Sequence, residues 1–433
     1  MNEPTENAPA DSPDVDTAFA AWGAHDRDDP FPLFAAVRRR GAVHAVTLAD
    51  GHTAWLVTGA EEVRSALNDT RLSKNMHAAL AADGAVLAEG LPGPALAHHM
   101  LAVDPPDHTR LRRLVSGAFT TRRVEDLRPH VQEIVDVLLD DIAARGPDAL
   151  VDLVADFAYP MPYAVICELL GVRTGDRAPF GRALTTLLTP ATSAEQQAAT
   201  EAASATVITM LEEFVAGKQT DPGDDLVTAL IEARDGDERL TQPELLSTIF
   251  QLFIAGHDTT ATLIGNAVVA LLTHPDELAR MQADPPRIGN AIEEVLRFDA
   301  PAPHATFRYT TEPVELGGTT IPSGAQVIVN LAAANRDPGL NPDPDTFDIG
   351  REGIQHIAFG HGIHFCLGVR LARMEGHVAI ETLVRRFPGL RLAVPPAALH
   401  WGHGDGLVLR GLSRLPVVPG PARVRADPVQ VGS

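Results

Sequence analysis

Residues 241–274 read TQPELLSTIFQLFIAGHDTTATLIGNAVVALLTH, and the apolar residues in that run fall nearly all round the helix. A helix apolar along one stripe rests on a core, whereas one apolar all round has to be enclosed by it. This segment is therefore expected to cross the middle of the molecule. Thr241 stands at its N-cap, with Pro243 and Glu244 in the first turn, a pattern that starts a helix sharply. A chain of 433 residues with 45% hydrophobic content has the material to surround it.

The flanking sequence is mostly helical in period. VQEIVDVLLDDIAA, ATVITMLEEFVAG and LGVRLARMEGHVAIETLVRRF repeat apolar residues at three- and four-residue spacing. Strand signals are confined to two places. VHAVTLADGHTAWLV alternates around the hairpin pair Asp50-Gly51, and EPVELGGTTIPSGAQVIVNL sets short β-branched runs between glycines and a proline. The reading is a mainly α protein with small β-sheets. Residues 1–20 are expected to be a disordered acidic tail, and residues 21–433 one catalytic domain with no repeat or linker.

A formal net charge of -22 argues against broad contact with nucleic acid or anionic lipid. No run of about 18 apolar residues appears, so no membrane span is expected. The N-terminus MNEPTENAPADSPDVD lacks the basic start and apolar stretch of a secretory signal. Cys167 and Cys366 are the only cysteines and suggest no disulfide framework, which fits a reducing cytoplasm. Cys167 lies in the apolar helical run YAVICELLGV and reads as a small core hydrophobe.

Cys366 is different. It lies in FGHGIHFCLG, residues 359–368, just before a helix whose unpaired N–H groups and dipole favour a thiolate. Gly360, Gly362 and Gly368 clear side chains from its surroundings, as a broad flat group approaching the backbone would need. His364 shares a face with Cys366 in an extended segment, so a cysteine hydrolase with a histidine base stays open beside metal ligation. Phe-Gly-x-Gly-x-His-x-Cys-x-Gly has a chance probability on the order of 10⁻⁶ at average residue usage.

The stretch resembles the haem-binding loop of the cytochrome P450 monooxygenases, and further motifs follow the family's order along nearly the whole chain. The resemblance implies a P450 fold with a long central helix over haem b (iron protoporphyrin IX) and Cys366 as the iron ligand. Phe359, Gly360, His364 and Gly368 fall in the haem-binding loop. His108 and Arg112 in DPPDHTRLRR, four apart on one helix face, resemble partners of the haem propionates, as do Arg308 and His364. In EEVLR, Glu294 and Arg297 resemble the family's buried structural pair, with Arg351 in FDIGR as a third member. Alone, that pair would read as a solvated surface ion pair.

AGHDTT, residues 255–260, interrupts the apolar helix with an acid and two alcohols. One threonine bonding back to its own helix is harmless, but that does not explain Asp258 beside Thr259. By resemblance Asp258 and Thr259 are the catalytic pair that positions dioxygen and guides protons to it, and Ala255 and Gly256 leave room for the oxygen. The pair favours an electron-fed monooxygenase over a peroxide user. It also counts against a haem-thiolate protein that only senses or carries a ligand.

The resemblance implies hydroxylation or epoxidation of a largely apolar small molecule, with macrolide, other polyketide, steroid or secosteroid types suggested by analogy. It also implies electrons drawn from NAD(P)H through a ferredoxin reductase and a ferredoxin. The chain has no Gly-rich dinucleotide fingerprint of its own. Arg110, Arg112, Arg113, Arg370 and Arg373 gather in the segments expected beneath the haem and suggest a ferredoxin docking face. Gln251, His98, His99, His304 and Leu407 are expected to line the substrate pocket. The protein is expected to be a monomer.

Overall fold

The computed structural model describes residues 14–24, 26–75, 96–188, 193–234, 237–402 and 408–424. Its axis is the central helix Gln242–Thr273. Thr241 caps it: the Thr241 side chain accepts from the Glu244 N–H, and the Glu244 carboxylate accepts from the Thr241 N–H at 2.8 Å. Every residue from Thr260 to Leu271 is buried, as the all-round apolar pattern requires. Helices Pro160–Leu170, Ile288–Phe298 and Val369–Arg386 pack against it, and Arg128–Ala144 packs on Val369–Arg386.

Two glycines let these helices approach closely. A Cβ at Gly256 would lie 3.1 Å from Ile166, and one at Gly376 would lie 3.2 Å from Leu263. The first crossing seats Pro160–Leu170 on the central helix. The second ties the helix that follows Cys366 to a point one turn beyond Thr259.

Among the described residues, ten short strands form three sheets. They are β1 (Val43–Thr47), β2 (Thr53–Val57), β3 (Leu72–Ser73), β4 (Val151–Asp152), β5 (Arg308–Thr310), β6 (Val314–Leu316), β7 (Thr319–Ile321), β8 (Gln326–Val329), β9 (Arg391–Leu392) and β10 (Pro416–Val418). The expected hairpin is β1–β2, pairing Val43 with Val57 around Gly51, whose φ of +85° suits glycine. β2 also pairs in parallel with β8, giving the order β1-β2-β8-β5-β3. Two smaller sheets have the orders β4-β10-β9 and β6-β7.

The N-terminal boundary differs from expectation. Val15–Ala20, assigned to the acidic tail, is a helix capped by the Asp14 carboxylate. Val15, Ala18 and Trp22 are buried in a cluster with Phe34 and Ile328. Their three- and four-residue spacing supplies an apolar stripe that the preceding acidic run conceals.

Beneath the central helix, Glu294 and Arg297 are fully buried and bidentate, at 2.7 and 2.8 Å. Arg297 donates further to the carbonyls of Pro344 and Thr346, at 2.6 and 2.9 Å. Arg351 joins from 3.3 Å and donates to the carbonyls of Asp343 and Thr346, both at 3.0 Å. The trio fastens the Pro- and Asp-rich loop to Ile288–Phe298. Removing one member would leave a buried charge uncompensated.

Candidate functional site

The chain approaches Cys366 through a tight turn at Gly362–His364, and the Cys366 N–H donates to the Phe359 carbonyl at 3.0 Å. Both Gly360 and Gly362 have φ of +73°, a left-handed conformation that favours glycine. Their surroundings differ. Nothing lies within 4 Å of a Cβ placed at Gly360, whereas one at Gly362 would meet the Leu67 carbonyl at 2.8 Å. Gly362 therefore seats the loop on helix Ala60–Asn68, contrary to the expectation that it clears space around the sulfur.

The Gly368 N–H is hydrogen-bonded to the Cys366 sulfur. Even so, burial raises the thiol pKa above its ordinary value, outweighing Gly368, Arg112 and Arg373. The expected preference of this helix start for a thiolate is thus not met by the protein alone. A metal cation bonded to the sulfur would supply it.

Beside this loop lies a concentration of positive charge. His108 is buried, with its ring 4.3 Å from that of His364, and among the described residues both of its ring nitrogens lack a hydrogen-bond partner. Arg308 is 3% exposed, and burial brings its pKa down to about 10. His364 is brought down to about 3, first by burial and then by His108, Lys74, Arg308 and Arg112. His99, expected to face substrate, belongs with this group. Burial and then Lys74 bring it down to about 4, and its Nδ1 has no partner.

Orphaned imidazole nitrogens beside buried cations make a site for an anionic group with several acceptor oxygens. A haem, with two carboxylates along one edge and iron at its centre, fits that donor set and the cysteine beside it.

On the central helix, Gln251, Ile254, Ala255, Asp258 and Thr259 form an accessible stripe within an otherwise buried element. Their four-residue spacing puts them on one face. The Thr259 hydroxyl donates to the Ala255 carbonyl at 2.7 Å. Asp258 lies 3.3 Å from His257 Nδ1 and is hydrogen-bonded to the Tyr159 hydroxyl, whose pKa is pushed up to about 12 by burial and then by Asp258. His257 Nε2 is 3.1 Å from the Tyr159 carbonyl, so one residue orients both the acid and its neighbour. Ala255 is exposed, but the bare side of Gly256 faces Ile166. Gly256 thus also serves helix packing.

Gln251 lies on the same stripe, with an Oε1 that has no hydrogen-bond partner among the described residues. His98 is exposed, and its N–H donates to Ser247 Oγ at 3.2 Å. His304 is misassigned to the pocket. It is 1% exposed, edge-on to Trp22 at 6.2 Å and to Phe34 at 5.9 Å, in the core beside the large sheet. Leu407 lies outside the described residues.

The arginines expected to form a docking face are largely engaged within the chain. Arg110 pairs with Glu244, and Arg113 with Glu238 at 3.2 Å. Arg373 holds Glu293 through two bonds of 2.6 and 2.7 Å and lies over the Phe359 ring. Burial would raise the Glu293 pKa, but His356 and Arg373 outweigh it and hold it at about 2. Sequence reasoning passed over Glu293 because the adjacent Glu294 carries the familiar pattern. It passed over Lys74 and Tyr159 because neither lies in a motif.

A long helix with an acid–alcohol pair on its accessible face, together with a cysteine loop edged with cations, defines a haem-thiolate oxygenase. Residues 44–396 match the sequence profile of the family Cytochrome P450, and the chain belongs to that family. It is 46% identical to "Cytochrome P450 107B1" of Saccharopolyspora erythraea, over 93% of this chain and 97% of that one. It is 44% identical to "Vitamin D(3) 25-hydroxylase" of Pseudonocardia autotrophica, over 91% and 94%. Among solved structures it superposes on the tirandamycin C-bound P450 monooxygenase TamI with a TM-score of 0.79. That match has 42% identity and covers 90% of this chain and 98% of that one. The protein is a haem b monooxygenase that takes electrons from a redox partner and incorporates oxygen from O2. No described helix is long and apolar enough to cross a membrane.

Proposed function

We propose that Cys366 ligates the haem iron, that His108, Arg112, Arg308 and His364 hold the propionates, and that Asp258 and Thr259 deliver protons to oxygen. The substrate is a largely apolar small molecule of macrolide, other polyketide, steroid or secosteroid type, which the protein hydroxylates or epoxidises. The names of the vitamin D(3) 25-hydroxylase and of the tirandamycin C complex support that class. A ferredoxin, reduced through its reductase, is the electron donor. The protein acts as a monomer in the cytoplasm, where its two free cysteines stay reduced.

The observation that carries this reading is His108, buried, with both ring nitrogens unpartnered among the described residues and its ring tilted against that of His364 in the loop that bears Cys366. Bound haem supplies the redox chemistry that activates O2. The chain's residues determine where protons go. With its hydrogen committed to the Ala255 carbonyl, Thr259 Oγ1 turns lone pairs toward the open face. There it accepts from a protonated oxygen group or a water and holds it in place. Asp258, oriented by Tyr159 and His257, relays protons inward to that position.

Turnover in isotopically labelled dioxygen with a ferredoxin, its reductase and NAD(P)H tests the reaction across a panel of apolar macrolides and steroids. One labelled oxygen atom per product molecule is expected. Product without label, or NAD(P)H-independent oxidation at the same rate, contradicts it.

A further inference from the structure

Lys74 follows β3 in the stretch RLSKN and carries no motif. It is nevertheless 8% exposed. Its Nζ donates to Thr306 Oγ1 at 2.6 Å and to the Phe307 carbonyl at 2.7 Å. Both acceptors are neutral, so they satisfy donors without balancing charge. Arg308 Nη1 donates to the carbonyl of the same Thr306 at 3.2 Å. Two cations thus converge on one residue in a place where desolvation is severe. Burial, then Arg308, lowers the Lys74 pKa well below its ordinary value, with Asp104 opposing.

The surrounding charges do not cancel. Among the described residues, Asp104 is the one carboxylate acting on both Lys74 and Arg308. That carboxylate is already held by the Ser73 hydroxyl and by the Lys74 N–H at 2.8 Å. Half-buried Arg112 has, among the described residues, the Cys366 sulfur as its one anionic neighbour, and iron would take up that charge. His99 and His108 are driven toward neutrality, first by burial and then by the cations around them. Among the described residues, the three cationic side chains Lys74, Arg112 and Arg308 and one carboxylate leave an excess of two positive charges. Burial and Arg308 push Lys74 toward neutrality, and nearby anions would hold it charged. Haem b carries two propionates, and without Lys74 the charges would not match.

We propose that Lys74 is a haem-propionate anchor whose charge, with those of Arg112 and Arg308, balances Asp104 and the two propionates of haem b. This rests on the reading of Cys366 and its neighbours as the haem site. The competing role is mechanical, in which Lys74 merely staples the end of β3 to Thr306 and Phe307.

The two roles separate in a substitution pair crossed with a cofactor change. Lys74→Gln keeps N–H donors for Thr306 and Phe307 but removes the charge, and Lys74→Met removes both. Each holoenzyme is reconstituted with haem b or with its dimethyl ester, which has no carboxylates. Haem transfer to excess apomyoglobin gives the dissociation rate. Both variants should release haem b about tenfold faster than the wild type, in line with loss of one charge-assisted contact. With the dimethyl ester, wild type and variants should differ by less than about twofold. A Lys74→Gln rate equal to wild type overturns the proposal, as does an acceleration of the same size with both haems. Failure of the underlying site reading would appear separately, as a thiolate-type carbon monoxide spectrum that survives Cys366→Ser.

Discussion

Thr259 Oγ1 and the Ala255 carbonyl are 2.7 Å apart, one helical turn from each other on the accessible face of the central helix. The hydroxyl is thereby fixed as a donor to its own helix and an acceptor toward the open side. Thr259→Ala should leave haem content, carbon monoxide binding and substrate binding intact. It should raise hydrogen peroxide released per NAD(P)H consumed at the expense of product. Thr259→Ser keeps the oxygen and should keep most of the coupling. Wild-type coupling in Thr259→Ala contradicts the proton role.

Asp258 should behave differently. Its carboxyl is held by Tyr159 and lies beside His257, but an amide in its place cannot carry a proton. Asp258→Asn should slow substrate turnover by about tenfold or more, with an unchanged resting spectrum. The check is the steady-state rate under saturating reduced ferredoxin. An undiminished rate removes Asp258 from the relay.

Gln251 is eight residues before Thr259 on the same stripe, with an unpartnered carbonyl oxygen. Gln251→Leu should weaken binding of substrates bearing a hydroxyl or amide by about fivefold to tenfold while sparing apolar ones. Spectral titrations across a substrate panel read this directly. Identical dissociation constants throughout place Gln251 outside the pocket.

Much of the site was legible in the sequence because its parts lie within short windows. Cys366 and His364, Asp258 and Thr259, and His108 and Arg112 each sit within one turn of helix or loop, so local spacing carries the relationship. What was missed depends on contacts between distant segments. Lys74 meets Thr306 and Arg308 only because β3 pairs with β5, and pairing of two-residue strands leaves almost no periodic signal. His304 looked available in PAPHAT, yet its ring is enclosed by Trp22 and Phe34 from the far N-terminus. Arg373 looked like a surface cation because its partner Glu293 lies on another helix. In the fold, the hairpin and the central helix announced themselves. The parallel β2–β8 pairing did not, since nothing local records which distant strand a hairpin edge will meet.

Glu375 provides a stability test with a definite sign. It is 1% exposed, its Oε2 has no hydrogen-bond partner among the described residues, and burial raises its pKa well above 4.5. A carboxyl raised in the folded state contributes fully below the ordinary glutamate range, and the contribution declines as pH rises above it. Glu375→Gln should therefore stabilise the holoprotein, and the gain should grow with pH by at most about 1.4 kcal/mol per unit. Urea unfolding at pH 6 and pH 9 measures it, these being conditions of about neutral to mildly basic solution. A gain that is constant with pH would show that the carboxyl is not held protonated.

The central claim is that Cys366, and not Cys167, ligates the iron. Cys167 is fully buried, and burial raises its thiol to about 11, with Tyr163 hydrogen-bonded to it. Cys366 lies beside Arg112 and the Gly368 N–H. The direct measurement is the carbon monoxide difference spectrum of the reduced protein with each cysteine changed to serine. Cys167→Ser should retain the thiolate-type band, and Cys366→Ser should lose it. A thiolate-type band that persists in Cys366→Ser and vanishes in Cys167→Ser would contradict the account at its foundation.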